Sequence, residues 1–217
     1  QCEVLFTSNQ LIAEEYEEYL AKRKTVIINT SVDPSTICRP ESGNKVIKIV
    51  MAASDWHSHN FIKYVKNAAI RISTEYGKDV EWYFVGLHPD MSEVNGISEV
   101  RYIPSMNMEA YIKHMSENRY DIGIAVLNPD HFNERKYFNK FIEYTRYGIC
   151  GIYSDCMPFQ QVVKDRENGI FTQNTDDGWY EAIKLLIDNP KLRINCIESA
   201  QDYLAKHFKW VADDDNV

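Results

Sequence analysis

Residues 133–171 read NERKYFNKFIEYTRYGICGIYSDCMPFQQVVKDRENGIF, and the fold is decided within them. Their order is polar loop, short helix, buried strand, turn, helix, turn, strand. Phe138, Phe141, Ile142 and Thr145 recur at helical spacing and form an inward face. Lys140 and Glu143, three apart, share a different face of the same helix. Gly148 stands where a left-handed residue ends a helix. The run Ile149-Cys150-Gly151-Ile152-Tyr153 suits a strand covered on both sides. A helix that starts in a polar loop and points its N-terminus at a crevice offers unpaired N–H groups to a phosphate. A lysine for phosphate and a carboxylate for ribose hydroxyls on that helix would make it a nucleotide site. The plainer reading of Lys140 and Glu143 is a surface ion pair worth about 0.2–0.5 kcal/mol.

Outward from this stretch, strands and helices alternate. Strands are expected at 46–53, 80–85, 100–103, 121–127 and 170–172. Helices are expected at 61–76, 108–115, 159–163 and 192–207, with one more carrying Ala182, Leu185 and Leu186 and capped by Asp176 or Asp177. The pattern predicts an α/β fold: a Rossmann-like parallel sheet with helices on both faces. In such a sheet the ligand lies beyond the carboxyl ends of the strands, where the strand order reverses. Ahead of it, 3–7 reads as a strand, Ser8 or Asn9 caps a helix running to about Arg23, and 25–29 reads as a second strand. Residues 30–45, with Pro34, Pro40 and Gly43, have no apolar period and read as a linker.

The chain has 217 residues, 44% of them hydrophobic and 26% charged, which fits a globular domain with an appendage. Its net charge of -8 argues against nucleic acid as the main partner and gives no support for broad adhesion to anionic lipid. No apolar run approaches the roughly 20 residues that span a bilayer. The five cysteines, Cys2, Cys38, Cys150, Cys156 and Cys196, match no zinc or disulfide spacing, which favours a reducing, cytoplasmic compartment.

Residues 140–148 also resemble a known pattern: lysine, two apolar residues, Glu-Tyr, then a glycine before a strand, here Lys140-Phe141-Ile142-Glu143-Tyr144-Thr145-Arg146-Tyr147-Gly148. A proline-containing turn (Met157-Pro158-Phe159), an Asn-Gly turn (Asn168-Gly169) and a tryptophan-bearing helix (Trp179 onward) follow in order. The segment is similar to the donor-binding part of GT-B glycosyltransferases with a retaining, family-4-like C-terminal domain. The resemblance spans 46–208, with 2–37 a weaker match to the N-terminal half. It implies that 1–35 is a remnant of the N-terminal GT-B domain, 36–45 the linker and 46–217 the donor-binding domain, so the chain begins partway through a larger protein. The implied reaction moves a sugar from a nucleotide-diphosphate sugar to an acceptor hydroxyl on a sugar or lipid-linked acceptor, in cell-surface polysaccharide or glycan synthesis. No cofactor and no metal are implied. The enzyme would be cytoplasmic, at the inner face of the membrane where the full-length protein associates with it peripherally. This chain alone is expected to be inactive, because the acceptor and any general base belong to the other half. Two other readings stand beside it: a noncatalytic nucleotide-sugar-binding or assembly module, and a GT-B-like sugar-nucleotide epimerase.

The loops after the strands supply the candidates. Ala53 and Ser54 are small enough for backbone N–H groups to approach a phosphate. His57 and His59 invite a metal reading, but no third ligand is evident. The related enzymes often place an arginine and a lysine in and after this loop; here Lys63 is the nearest base, and His57 is the candidate that takes their place. Gly86 is a close-approach glycine or a plain turn. Near Pro104 the resemblance implies backbone contacts to the nucleobase, and an N-cap by Ser105 or Asn107 is the alternative. The resemblance further implies an acidic residue eight positions before Glu143, near the donor sugar. That position is Arg135, with Glu134 beside it, and Arg135 and Lys136 would instead neutralise phosphate charge. Trp179 and Trp210 read as packing residues. The apolar strands of 3–29 predict docking on the chain's own domain or, by preference, pairing with a second copy as a homodimer.

Overall fold

The structure, a computed structural model, describes residues 4–20, 24–27, 30–40, 46–90 and 92–208. Cys2, Arg23, Asn29, Gly43 and Trp210 lie outside these. The opening unit is β1 (Val4–Thr7), α1 (Gln10–Leu20) and β2 (Lys24–Ile27), whose strands pair in parallel as a separate two-stranded sheet. Then come β3 (Ile47–Ala52), α2 (Ser58–Tyr64), α3 (Lys66–Tyr76), β4 (Val80–Val85), β5 (Val100–Ile103) and α4 (Met108–Asn118). The second half contains β6 (Ile122–Ala125), α5 (His131–Glu134), α6 (Asn139–Arg146), β7 (Cys150–Ser154), β8 (Ile170–Thr172), α7 (Asp176–Asp188) and α8 (Pro190–His207).

The main sheet is six-stranded and parallel throughout, in the order β5-β4-β3-β6-β7-β8. Sequence neighbours part company between β3 and β6: the chain runs outward one way from β3 and then the other way from β6. That reversal opens a crevice at the carboxyl ends of these two strands. Each central strand is buried on both faces, and alternate residues enter different layers. Ile49, Met51, Trp82, Phe84 and Ile124 pack against α2, α3 and α7, while Val50, Ala52, Tyr83, Val85 and Ala125 pack against α4, α6 and the end of α8.

Helix α6 is seated by one close contact. Tyr144 is fully buried and its hydroxyl donates to the Ile124 carbonyl at 2.8 Å. A Cβ on Gly123 would lie 2.6 Å from the Tyr144 ring, so the strand must be bare there for the ring to fit. At the other end of α6, Gly148 adopts φ 68°, and a Cβ there would meet the Cys38 carbonyl oxygen at 2.8 Å.

Several expected elements are corrected. The helix expected at 61–76 begins at Ser58 and is broken at Val65 into α2 and α3. The helix expected at 159–163 is a single 3-10 turn, Phe159–Gln161. Residues 128–138 contain the short helix α5, which Asp130 caps by accepting from Asn133 N. Helix α7 is capped by Thr175, not by Asp176 or Asp177; its hydroxyl accepts from Gly178 N. Of the two caps expected for α4, Ser105 and Asn107, it is Asn107 that accepts, from Ala110 N.

The opening segment contacts its own domain, one of the two outcomes expected from sequence. Asn9 is buried and caps α1, and its Nδ2 donates to the carbonyls of Lys136 (2.9 Å) and Glu134 (3.3 Å). Glu15 pairs with Arg135 at 2.5 Å. Residues 30–40, in the expected linker, are also tied to the domain: Val32 N donates to Phe208 O, Cys38 N to Arg146 O, and Gln201 Nε2 to Cys38 O. A chain starting at residue 43 would lose all these contacts. It should therefore melt several degrees below the full chain, about 2–4 °C for each kcal/mol removed. Equal melting temperatures by scanning calorimetry would show that the opening segment adds no stability.

Candidate functional site

The crevice at the β3–β6 reversal has two lobes that share Ala53 and Lys140. The outer lobe, about 290 Å³, is lined by Ser54, Val85, Gly86, Pro104, Ser105, Met106, Tyr111 and Glu143. The inner lobe, about 360 Å³, is lined by His57, Lys136, Tyr137, Asn139, Phe159 and the ends of β3 and β6.

The outer lobe is built largely from backbone. A Cβ on Gly86 would lie 2.7 Å from the Ala53 carbonyl oxygen, so only glycine allows the loops after β3 and β4 to run side by side. Ser105 Oγ donates to the Gly86 carbonyl at 3.2 Å and ties the third loop to the second. Glu143 faces this lobe from α6. Lys140 Nζ donates to its Oε2 at 2.7 Å, and the Tyr111 hydroxyl donates to its Oε1. The Lys140 and Glu143 side chains are 27% and 20% exposed, too enclosed for an idle surface pair and open enough to meet a ligand. Burial and the Glu143 charge push the Tyr111 phenol far above its ordinary range, so it remains a donor.

The inner lobe gathers positive charge. Lys140, at the second position of α6, and Lys136 both reach it. No side chain caps the α6 N-terminus, which leaves its first N–H groups to solvent or a ligand. Burial lowers the Lys136 pKa, partly offset by Asp130. His57 is also lowered, first by burial and then by Lys136, His59 and Lys140, so it is neutral at neutral pH. Beneath the lobe, Leu127 is fixed by a partly buried network. Its N–H donates to Ser154 Oγ, its carbonyl accepts from Asn174 Nδ2, and Ser154 Oγ and Trp179 Nε1 both donate to Asn174 Oδ1.

Of the residues expected from sequence, Lys140, Glu143, Ser54, Gly86 and Pro104 meet in the outer lobe, and Lys136 and His57 in the inner one. Glu134 and Arg135 line neither lobe; Arg135 is turned to Glu15 and to the His131 carbonyl. His59 is exposed, and Lys63 lies over the Tyr64 ring, outside both lobes. Among the described residues no cluster of three or more His, Cys, Asp or Glu is placed to hold a metal ion, and no helix is long and apolar enough to cross a membrane. Sequence reasoning passed over Tyr111, Tyr137 and Asn139. Asn139 follows from its place at the start of α6, but Tyr111 meets Glu143 from 32 residues away on another helix.

No family model matches the sequence, and no curated protein matches it. Solved structures match over nearly the whole chain. The glycosyltransferase from Rickettsia africae is 14% identical with a TM-score of 0.71, over 95% of this chain and 59% of that one. HepE from Anabaena, solved with UDP and glucose, is 11% identical with a TM-score of 0.71, over 96% of this chain and 60% of that one. The C-terminal domain of a glycosyl transferase group 1 protein from Francisella tularensis is 14% identical with a TM-score of 0.62, over 83% of this chain and all of that domain. The chain thus spans about three-fifths of the first two, and the whole of the third lies within it. At such identities the likeness is one of fold: this chain has the Rossmann-like fold of the C-terminal half of a GT-B glycosyltransferase.

Proposed function

We propose that this chain is the donor-binding half of a glycosyltransferase that moves a sugar from a nucleotide-diphosphate sugar to an acceptor hydroxyl. The observation that carries it is the meeting of two unlike lobes at Lys140. A carboxylate faces the outer one, and Lys136, Lys140, His57 and a bare helix end face the inner one. Glu143 would accept from the ribose hydroxyls. The diphosphate would lie at the α6 N-terminus, where cationic side chains meet the charge of the leaving group. The acceptor, a sugar or lipid-linked sugar in glycan synthesis, would enter from a second half facing the carboxyl ends of the strands. Metal independence, a cytoplasmic site of action and peripheral membrane association belong to the same proposal. Pairing of two copies through 3–29 competes with the docking of that segment. Phe6 stays 63% exposed, yet the docked segment favours a monomer, which light scattering on the full chain would measure.

Titration calorimetry with UDP, GDP and ADP is the direct test. Heat of binding with at least one of them is expected, and no response at millimolar concentration from folded protein would refute the proposal. A second reading, a binding module without transferase activity, is favoured by one feature: residues 53–60 contain no lysine or arginine.

Binding should also depend on pH. The lowered pKa of His57 means that the empty site takes up a proton only below the ordinary histidine value of about 6.5. An anionic diphosphate beside it favours the protonated form, so binding draws in a proton and tightens as pH falls through this range. UDP-glucose, whose diphosphate does not titrate near neutrality, should bind more tightly at pH 5.5 than at 7.5. The dependence should flatten in His57→Gln; an unchanged slope in that variant would remove His57 from the site.

A further inference from the structure

Resting on that reading, we propose that Tyr111 is a positioning residue that makes the outer lobe selective for a cis-diol, and so for ribonucleotides over 2′-deoxyribonucleotides. A glutamate's terminal torsion is broad, so a carboxylate held at one oxygen can turn freely. Glu143 is held at both. Lys140, one turn away on α6, takes Oε2 at 2.7 Å, and Tyr111, from α4 across the lobe, takes Oε1. The two anchors come from different elements, and together they fix the plane of the group.

Each carboxylate oxygen accepts about two hydrogen bonds. One site on each is filled by an anchor, which leaves one on each oxygen for a ligand. Two adjacent acceptors held in one plane match two adjacent hydroxyl donors, the arrangement of a ribose 2′,3′-diol. Without the Tyr111 hydroxyl the carboxylate would turn onto Lys140 with both oxygens and lose the paired acceptors. The phenol is half-buried beside Glu143, keeps its proton, and so acts on the carboxylate as a donor.

The experiment compares UDP with 2′-deoxy-UDP on the intact chain and on Tyr111→Phe, which keeps the ring and its packing. The intact chain should prefer UDP by about tenfold or more, the worth of one hydrogen bond to a charged group. In Tyr111→Phe that preference should fall to about threefold or less while 2′-deoxy-UDP affinity changes less than about twofold. Tyr111→Gln, too short to reach Glu143, should behave alike and serves where the phenylalanine variant is poorly folded by circular dichroism. An equal loss for both nucleotides, or an unchanged preference, overturns the positioning role. Equal affinity of the intact chain for both overturns the diol selectivity and leaves the nucleotide site standing. No binding of either to the intact chain overturns this inference together with the proposed function.

Discussion

Glutamine in place of Glu143 should weaken nucleoside diphosphate binding by about 1–3 kcal/mol, roughly five- to 150-fold, with little change in stability. The substitution keeps the shape but replaces two charged acceptors by one neutral acceptor and one donor. Turned one way its NH2 confronts the Lys140 ammonium, which cannot accept; turned the other way only its single oxygen is left to accept, and the Tyr111 and ribose hydroxyls must reverse to take a bond from the NH2. The charge-assisted bonds are the strong ones, and they are what is lost. Lys140→Ala makes the complementary statement. Lys140 stands at the junction of the lobes, so its loss should weaken diphosphates more than nucleosides. Calorimetric titration of both variants with UDP and uridine separates the two roles, and equal losses for the two ligands would deny Lys140 a phosphate.

The largest effect on stability is expected from Trp179→Ala. The side chain is 0% exposed and packs in the layer formed with α2 and α3. Truncating a buried tryptophan costs about 3–5 kcal/mol, which for a chain of this length lowers the melting temperature by roughly 6–20 °C. The loss should also reach the site. Trp179 Nε1 donates to Asn174, and Asn174 holds Leu127 at the wall of the inner lobe. Differential scanning calorimetry checks the first effect and UDP titration the second. A melting shift of under about 2 °C would mean that the ring adds little to the core.

The alternation of strand and helix was legible because strands covered on both faces leave continuous apolar runs, as in Ile49-Val50-Met51-Ala52, and those runs survive any tertiary detail. The break at Val65 was not. Phe61, Val65, Ala69 and Ile72 are all buried, so the apolar period passes through the break and reports the face without reporting the bend. The cap of α7 was expected at Asp176 or Asp177 and fell one residue earlier, at Thr175, since all three can accept a hydrogen bond. What separates them is the extended backbone of Thr175, φ -129° and ψ 155°, which composition does not reveal. In the site, Lys140 and Glu143 could be paired from spacing alone. Lys136 and Arg135 could not be told apart, because what turns Arg135 away is Glu15, 120 residues upstream. Tyr111 was hidden for the same reason: a contact between two helices leaves no local trace.

The seat of Tyr144 on Gly123 joins two positions 21 residues apart into one heritable unit. A Cβ on the strand would sit 2.6 Å from the ring, so neither residue can change freely without the other. Among descendants of a common ancestor, an alanine at the strand position should travel with a smaller side chain at the helix position, and the exchange should pass through a less stable intermediate. The same coupling governs transplantation. A designer who moves residues 139–146 into another parallel sheet carries over Lys140 and Glu143 but not their placement, unless the recipient strand supplies the missing side chain's space.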